Sequence, residues 1–224
     1  MDKYKVAIVI PAFNEETTIF DIVQSVKKYG IVVVVNDAST DKTKKLAEDA
    51  GAIVVSHNKN KGYDGALNSG FSKVKELNCD FFITFDADGQ HNHESIKEYI
   101  DLIDQGFDVV IGTRNKFQRV AEYIFSWVAN WRWGVKDPLC GMKAYRIDIF
   151  SQLGYFDSYG SIGTELAIYA AHKNIKIAQH SIKIEDRQDK PRFGRSFSAN
   201  IVILRSLWLG FRKYKHLNNI KSHF

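Results

Sequence analysis

Residues 31–37 have the sequence Ile-Val-Val-Val-Val-Asn-Asp, a run of β-branched side chains that ends in two polar residues. Such a run is typical of an interior strand of a parallel sheet, because helices cover both faces of that kind of sheet. A short apolar strand at 6–10 and apolar residues at helical spacing over 15–29 come directly before it. The stretch therefore predicts a strand–helix–strand unit with parallel strands.

The same alternation continues along the chain. It predicts helices over 43–50, 64–77, 94–103, 117–133, 163–172 and 197–214, and strands over 52–55, 81–85, 109–111, 141–145 and 176–184. Strands that alternate with helices predict an α/β domain whose sheet is covered on both faces. Ligands of such sheets bind at the carboxyl ends of the strands, so each loop after a strand is a candidate site.

Composition excludes several classes of protein. The chain has 224 residues, 45% hydrophobic and 25% charged, which favours one globular domain and excludes a disordered or fibrous chain. Cys79 and Cys140 are too few for a disulfide framework and lack zinc-ligand spacing, so a reduced, cytoplasmic chain is favoured. We expect neither a signal peptide nor a membrane span, since no window reaches about 18 apolar residues.

Positive charge is concentrated near the C-terminus. Residues 187–224 contain nine Lys and Arg against one acid, a net charge of +8, so the remainder carries −3 of the total of +5. This distribution indicates an anionic partner, whether phosphates, a lipid surface or nucleic acid.

Two carboxylates, Asp86 and Asp88, follow the apolar run 81–85. Side chains two positions apart at a strand end point to the same side, where two carboxylates repel each other unless a cation lies between them. Oxygen ligands select a hard ion such as Mg²⁺ or Mn²⁺, which stabilises a departing diphosphate. The alternative is a solvated turn with two exposed acids.

Other loops that follow strands also contain candidate ligands. The segment 11–16 ends at a helix N-terminus suited to an anion, although Glu15 is equally typical of a first helical turn. Asp37 could accept a hydrogen bond from a nucleobase or cap a helix. Lys61 and Gly62 are candidate phosphate or base contacts, whereas Gly70 fits close packing.

Arginines after the fifth strand and in the segment 187–196 form a further group. They are Arg114, Arg187, Arg192 and Arg195. Guanidinium groups suit bidentate phosphate binding, and the alternative for each is a solvated basic surface.

In their order, these motifs resemble the family 2 glycosyltransferases, most closely the dolichyl-phosphate (polyprenyl-phosphate) mannose or glucose synthases. They are PAFNEE (11–16), VNDASTD (35–41), NKGYDGALNSG (60–70), FDADGQH (85–91), GTR (112–114) and DPLCGMKAYR (137–146). The resemblance covers about residues 5–200. It implies a single α/β/α domain of the glycosyltransferase A type, with a mostly parallel mixed sheet and a Rossmann-like nucleotide-binding half. We expect a nucleotide-sugar half (1–115), an acceptor-side half (116–196) and a basic amphipathic helix and tail (197–224).

The resemblance also implies residue roles. It assigns a divalent metal to Asp86 and Asp88, with Gln90 as a further ligand. It assigns nucleotide-sugar contacts to Pro11, Ala12, Asn14, Glu15, Asp37, Lys61, Gly62, Asp86, Ala87, Arg114, Arg187 and Arg195, and catalytic roles to Asp88, Asp137, Glu165 and Arg192. Two departures from the family pattern are Asn36, where many relatives have Asp, and the arginine spacing in 191–196, which leaves open which arginine binds the diphosphate.

The implied reaction is inverting transfer of a hexose from a GDP- or UDP-sugar, with Mg²⁺ or Mn²⁺. A polyprenyl phosphate acceptor is already anionic and needs no base. A glycan hydroxyl acceptor is the alternative and would need one, for which Glu165 is the candidate.

A sugar-1-phosphate nucleotidyltransferase would need a Gly-rich, Arg-containing loop where PAFNEE stands. A nucleic-acid-binding module leaves Asp86 and Asp88 unexplained, so no nucleic acid partner is expected.

The last helix has an apolar stripe, with Arg205 and Arg212 on another face. The stripe consists of Phe197, Ile201, Leu204, Trp208 and Phe211. A second stripe, on 117–133, consists of Tyr123, Ile124, Trp127, Val128 and Trp131. We expect peripheral contact with the cytoplasmic face of a membrane. The alternative is that the last helix packs on the protein itself or on a second subunit in a homodimer.

Overall fold

The computed structural model describes residues 4–183 and 196–214, except for the side chains of 196–198. Its strands are β1 (Val6–Ala12), β2 (Ile31–Asn36), β3 (Ile53–Ser56), β4 (Phe81–Thr84), β5 (Val109–Arg114), β6 (Lys143–Arg146) and β7 (Ile177–Ile182). Its α-helices are α1 (Ile19–Val26), α2 (Thr43–Asp49), α3 (Gly62–Glu76), α4 (Ser95–Asp104), α5 (Val120–Trp133), α6 (Ile147–Leu153), α7 (Glu165–His172) and α8 (Ser196–Lys213).

The seven strands form one mixed sheet in the order β3-β2-β1-β4-β6-β5-β7. Strand β6 runs antiparallel to β4 and β5, and the other neighbouring pairs are parallel. The α/β class and the mostly parallel mixed sheet predicted from the sequence are confirmed.

Each face of the sheet has its own apolar core. Along β1, Ala7 and Val9 belong to one core, while Ile8 and Ile10 belong to the other. Helices α1, α2 and α4 contribute to the second core, and α3 and α5–α8 contribute to the first. This double burial explains why the interior strands are apolar at successive positions.

Helix α3 lies very close to the sheet. A Cβ added at Gly70 would lie 2.4 Å from Val9 Cγ1, so no larger side chain fits without a shift. The packing role expected for Gly70 is confirmed, and this close approach fixes where the N-terminus of α3 lies.

Two local differences from the predicted elements have simple causes. Helix α1 begins at Ile19, later than predicted, because residues 16–18 form turns. Helix α6 was not predicted, since seven residues are too few to establish a helical period. It ends at Leu153, and the next residue, Gly154, adopts a φ of 86°.

The apolar stripe predicted on the last helix is largely exposed. Ile201, Leu204 and Trp208 face outward and Phe211 is half-buried, whereas Phe197 lies outside the described side chains. The face packed on the protein carries Ala199, Ile203, Ser206, Leu207 and Gly210. Within the described part of the chain, these three side chains are therefore not packed on the protein itself.

Among the described helices, none combines the length and apolar character that crossing a bilayer requires.

Candidate functional site

The loops after β1, β2, β3, β4 and β5 lie at one edge of the sheet. Strand β1 lies between β2 and β4, and the direction of strand order reverses there. In open α/β sheets the crevice between the loops that follow two such strands is where ligands bind. Because β6 is antiparallel, residues 137–142 precede it at the same edge. The predicted residues on these loops and strand ends are Pro11, Ala12, Asn14, Glu15, Asp37, Lys61, Gly62, Asp86, Ala87, Asp88, Gln90, Arg114 and Asp137.

Asn14 and Glu15 join the loops that follow β1 and β2. Asn14 Oδ1 accepts a hydrogen bond from Thr40 N at 2.9 Å, and Asn14 N donates to Ser39 Oγ at 3.0 Å. Asn14 has a φ of 53°, a conformation that asparagine tolerates well. The buried Glu15 donates its backbone N–H to Thr43 Oγ1 at 2.7 Å. These contacts fix the rim of the crevice.

Asp37 organises the loop that leads into α3. Its carboxylate accepts the backbone N–H groups of Lys61 and Gly62, each at 2.8 Å. It also lies 2.6 Å from His57 Nδ1, and His57 Nε2 lies 2.8 Å from Ser69 Oγ. The structure thus brings the predicted residues Asp37, Lys61 and Gly62 together.

Asp86 is held in the crevice by two side chains. His91 Nε2 lies 3.0 Å from Asp86 Oδ2, and the Tyr63 hydroxyl donates to Oδ1 at 3.4 Å. Burial alone would raise the pKa of Asp86, but His91, Lys143 and Tyr63 outweigh it and lower that pKa. The side chain is 26% exposed, so an anionic carboxylate faces the crevice.

Asp88 and Gly141 complete this end of β4. Asp88 Oδ1 accepts the backbone N–H of Gln90 at 3.1 Å. A Cβ added at Gly141 would lie 2.1 Å from Asp86 Oδ2, so only glycine leaves room for the carboxylate. In the described part of the chain, no group of three or more His, Cys, Asp or Glu is arranged to hold a metal. Two carboxylates and the Gln90 amide still offer the oxygen donors that Mg²⁺ or Mn²⁺ prefers.

Arg114 and Asp137 form a buried bidentate pair. Arg114 Nε and Nη2 donate to the Asp137 carboxylate at 2.8 and 2.9 Å, and Nη1 lies 3.3 Å from Glu122. Burial by itself would lower the pKa of Arg114, but the bonds to Asp137 raise it, so the group is cationic. Both predicted residues are therefore engaged with each other.

Glu165 contacts a different set of residues. It is fully buried at the start of α7, where it accepts the Ser158 N–H at 2.7 Å and contacts Lys213 Nζ of α8. The predicted Arg187, Arg192 and Arg195 lie outside the described residues.

Lys143 is a buried cation that the sequence analysis did not single out. Its Nζ donates to Gly163 O at 2.7 Å. Burial lowers the pKa of Lys143 to about 8, although the acids around it, among them Asp86 and Asp137, oppose the shift. The position of this lysine in a predicted strand was the only feature of the sequence that could have singled it out. His91 and Tyr63, which contact Asp86, were also given no role from the sequence, although both lie within the quoted motifs.

A cleft of about 390 Å³ lies between the start of α3 and residues 157–160. Asp64 lines it and accepts the N–H groups of Gly163 and Ile162 at 2.6 and 3.1 Å. Burial and the charge of Asp157 raise the pKa of Asp64 to about 6. The cleft joins the loop held by Asp37 to the half of the chain that contains α7.

The comparisons with known proteins agree with this geometry. Residues 7–154 match the model of the family described as "Glycosyl transferase family 2". A dolichyl-phosphate hexose transferase of Haloferax volcanii is 27% identical over 214 residues, which cover 90% of this chain and 91% of that protein.

Other relatives align over a shorter stretch. A UDP-N-acetylglucosamine–dolichyl-phosphate N-acetylglucosaminyltransferase of Methanococcus voltae is 34% identical over 129 residues, 49% of this chain and 51% of that protein. An uncharacterized protein of Methanocaldococcus jannaschii is 38% identical over 117 residues, 51% of this chain and 48% of its own. These alignments span about half the length of each relative.

Solved structures share the fold. Glucosyl-3-phosphoglycerate synthase from Mycobacterium tuberculosis, in complex with Mn²⁺, UDP and phosphoglyceric acid, superposes with a TM-score of 0.72 at 21% identity. The match covers 92% of this chain and 79% of that one.

Proposed function

The chain belongs to glycosyl transferase family 2, and on that premise we propose that it transfers a hexose from a nucleoside diphosphate sugar to a polyprenyl phosphate. The observation that carries the proposal is the pair Asp86 and Asp88 at the crevice where strand order reverses. Nucleotides bind at this position in open α/β sheets. A relative that aligns over nearly its whole length is named a dolichyl-phosphate hexose transferase.

Asp86, Asp88 and Gln90 would hold a divalent cation, Mg²⁺ or Mn²⁺. Such an ion supplies positive charge that neutralises a diphosphate and favours its departure. The chain's own contribution is to keep Asp86 anionic and fixed through His91 and Tyr63. The complexes of the mycobacterial synthase with Mn²⁺ and with Mg²⁺, each with UDP, support this assignment.

The donor would lie along the rim between β1 and β2. Asp37 would read the nucleobase, and Lys61 and Gly62 would contact the nucleotide from the loop that Asp37 holds. The remaining donor contacts would come from Pro11, Ala12, Asn14, Glu15, Ala87 and Arg114, and from Arg187, Arg192 and Arg195. GDP- and UDP-sugars are the two donor classes that this proposal covers.

The two acids on the acceptor side, Glu165 and Asp137, already bind cations of the protein, which favours a phosphate acceptor. A sugar hydroxyl must lose a proton to a base, whereas a phosphate oxygen is already anionic at neutral pH. Glu165 contacts Lys213, and Asp137 is bound to Arg114 at both oxygens. Neither acid is an available base in this arrangement, and a polyprenyl phosphate needs none. Since that acceptor is a lipid, the enzyme would work at a membrane surface.

A matrix of donors and acceptors tests the proposal. UDP- and GDP-hexoses are combined with a polyprenyl phosphate, with a free glycan and with buffer alone, in Mn²⁺ or Mg²⁺, and both products are measured. We expect release of the nucleoside diphosphate with sugar on the lipid phosphate. Transfer to the glycan alone would favour the hydroxyl alternative and restore Glu165 as the candidate base.

A further inference from the structure

The outer faces of α5 and α8 carry most of the exposed apolar side chains. Nine of the eleven large hydrophobic side chains that are exposed in the described part of the chain lie on these two helices. They are Val120, Tyr123, Ile124, Trp127 and Trp131 on α5, and Ile201, Val202, Leu204 and Trp208 on α8. A concentration of this kind marks an interaction surface, which we call the α5–α8 face.

The two helices lie side by side and run in the same direction. At their N-terminal ends Ala121 N donates to Asn200 Oδ1 at 3.3 Å, and near their C-terminal ends the rings of Trp133 and Phe211 are 5.1 Å apart. Their inner faces pack into the same core, since Phe125 and Ile203, for example, both belong to it. The exposed stripes therefore both point away from the sheet on one side of the molecule.

The charge of the α5–α8 face is positive. Arg205 and Arg212 are exposed on α8, and the Arg212 guanidinium lies 5.4 Å from the centre of the Trp208 ring. Arg212 therefore borders the apolar stripe, and the separate face predicted for it is wrong. The sequence of α5 and α8 contains one acid, Glu122, which is buried and bound to Arg114 and Arg119. Tryptophan beside arginine, with no exposed carboxylate on either helix, complements anionic headgroups above a hydrocarbon layer.

The face also adjoins the edge of the sheet that carries the candidate site. Arg114, at the end of β5, is bound to Glu122 of α5, and its guanidinium lies 5.2 Å from the centre of the Phe117 ring. That ring lies 4.9 Å from the ring of Tyr123, an exposed residue in the first turn of α5. Short contacts thus connect the carboxyl end of β5, where the candidate residue Arg114 lies, to the start of the face.

We propose that the α5–α8 face docks the enzyme on an anionic lipid bilayer and so presents the crevice to the phosphate of a membrane-held acceptor. This inference rests on the proposed function, which supplies the lipid acceptor. The occupant is the bilayer surface itself, with the aromatic side chains at headgroup depth and Arg205 and Arg212 among the phosphates.

Vesicle flotation tests the docking. The full chain is mixed with vesicles of phosphatidylcholine alone, or with added phosphatidylserine, at low and high salt. We expect binding to the anionic vesicles that weakens with salt. The double variant Trp127→Ser/Trp131→Ser should weaken it roughly tenfold or more through lost apolar burial. Arg205→Gln/Arg212→Gln should weaken it by roughly fivefold for each arginine.

Matched controls come from the opposite side of the sheet. Phe20→Ser removes an exposed aromatic side chain from α1, and Lys44→Gln/Lys45→Gln removes two exposed cations from α2. Neither control should change flotation, and thermal unfolding should show every variant folded. Equal losses in test and control variants would overturn the proposal, as would a homodimer that Trp127→Ser/Trp131→Ser dissociates while flotation persists.

A second measurement separates docking from chemistry. The face variants should glycosylate a short, water-soluble isoprenyl phosphate at the wild-type rate, yet lose transfer to the same headgroup in vesicles. If the wild type floats but never glycosylates either acceptor, the proposed function fails while the docking stands. If it glycosylates vesicle acceptors without specific binding through this face, the docking fails while the function stands.

Discussion

Asp86 and Asp88 are only two positions apart but have different surroundings. Asp86 is pinned between His91 and Tyr63, and a Cβ at Gly141 would collide with it, so its position is set by the fold. Asp88 lies two residues further along the loop that follows β4, where it accepts the Gln90 N–H. A change at Asp88 therefore tests the metal assignment with little disturbance of the protein.

We expect Asp88→Asn to lower kcat by about 10²–10³, the usual loss when charge that stabilises a leaving group is removed. The amide keeps the size of the side chain, so thermal stability should change little. The measurement is release of nucleoside diphosphate in Mn²⁺. Asp21→Asn, an exposed acid on α1, is the matched control. Full activity of Asp88→Asn, or of the wild type in EDTA, would refute the metal assignment.

Asp64 makes stability depend on pH. Burial and Asp157 raise its pKa from 3.8 to about 6, so between these values the folded state binds more protons than the unfolded state. The contribution of Asp64 to the free energy of unfolding is therefore greatest at the low-pH end of this range, and it decreases as pH rises towards 6. We expect the unfolding free energy of wild type minus that of Asp64→Asn to decrease from pH 4 to pH 6 and then level off. Urea unfolding across this range measures the difference, and parallel pH curves would contradict the prediction.

At the scale of helices and strands, the sequence predicts the buried elements best. The apolar runs of β1, β2 and β4 predict interior strands because both faces of those strands are buried. The candidate residues at their carboxyl ends follow from that topology alone. The pairing of β6 between β4 and β5 could not be predicted, since it depends on contacts between residues distant in sequence.

The last helix shows where prediction from sequence ends. Apolar residues at helical spacing predict an apolar stripe but not whether a protein core or another surface covers it. In the structure the stripe is largely exposed, because Ala199 and Gly210 allow the opposite side of α8 to lie against the core. The partners of Glu165 and Asp137 were unpredictable for a related reason. Lys213 and Arg114 lie 48 and 23 residues away from them in sequence.

The contact between α7 and α8 decides between two roles for Glu165. We expect Glu165→Gln to lower stability by roughly 1–3 kcal/mol, because Lys213 and Ser158 lose a charged acceptor, and to leave kcat nearly unchanged. Lys213→Met should lower stability similarly, and the double variant should lose less than the sum. Urea unfolding and transfer assays measure both properties. A fall in kcat of about 10²–10⁴ at unchanged stability would instead identify Glu165 as the catalytic base.

The whole molecule holds its candidate donor and acceptor contacts at one end of a single sheet. The parallel strands β3, β2, β1 and β4 carry the donor loops, and β5 and β6 bring Arg114 and Asp137 to the same edge. A nucleoside diphosphate bound there would contact loops from several strands. Because the unfolded chain loses this arrangement, such a ligand should stabilise the folded protein as a unit.

Thermal unfolding with UDP or GDP tests that consequence. A ligand present at about 100 times its Kd adds about 2.7 kcal/mol, and about 1 kcal/mol corresponds to roughly 2–4 °C in a chain of this size. We therefore expect the preferred diphosphate, with Mn²⁺, to raise Tm by roughly 5–10 °C. The base that gives the larger shift identifies the donor class.

EDTA and Asp88→Asn should each remove most of the shift, and ADP and inorganic phosphate serve as controls. Equal shifts with and without metal would place the nucleotide away from Asp86 and Asp88, and no shift with either nucleotide would remove the crevice as the donor site.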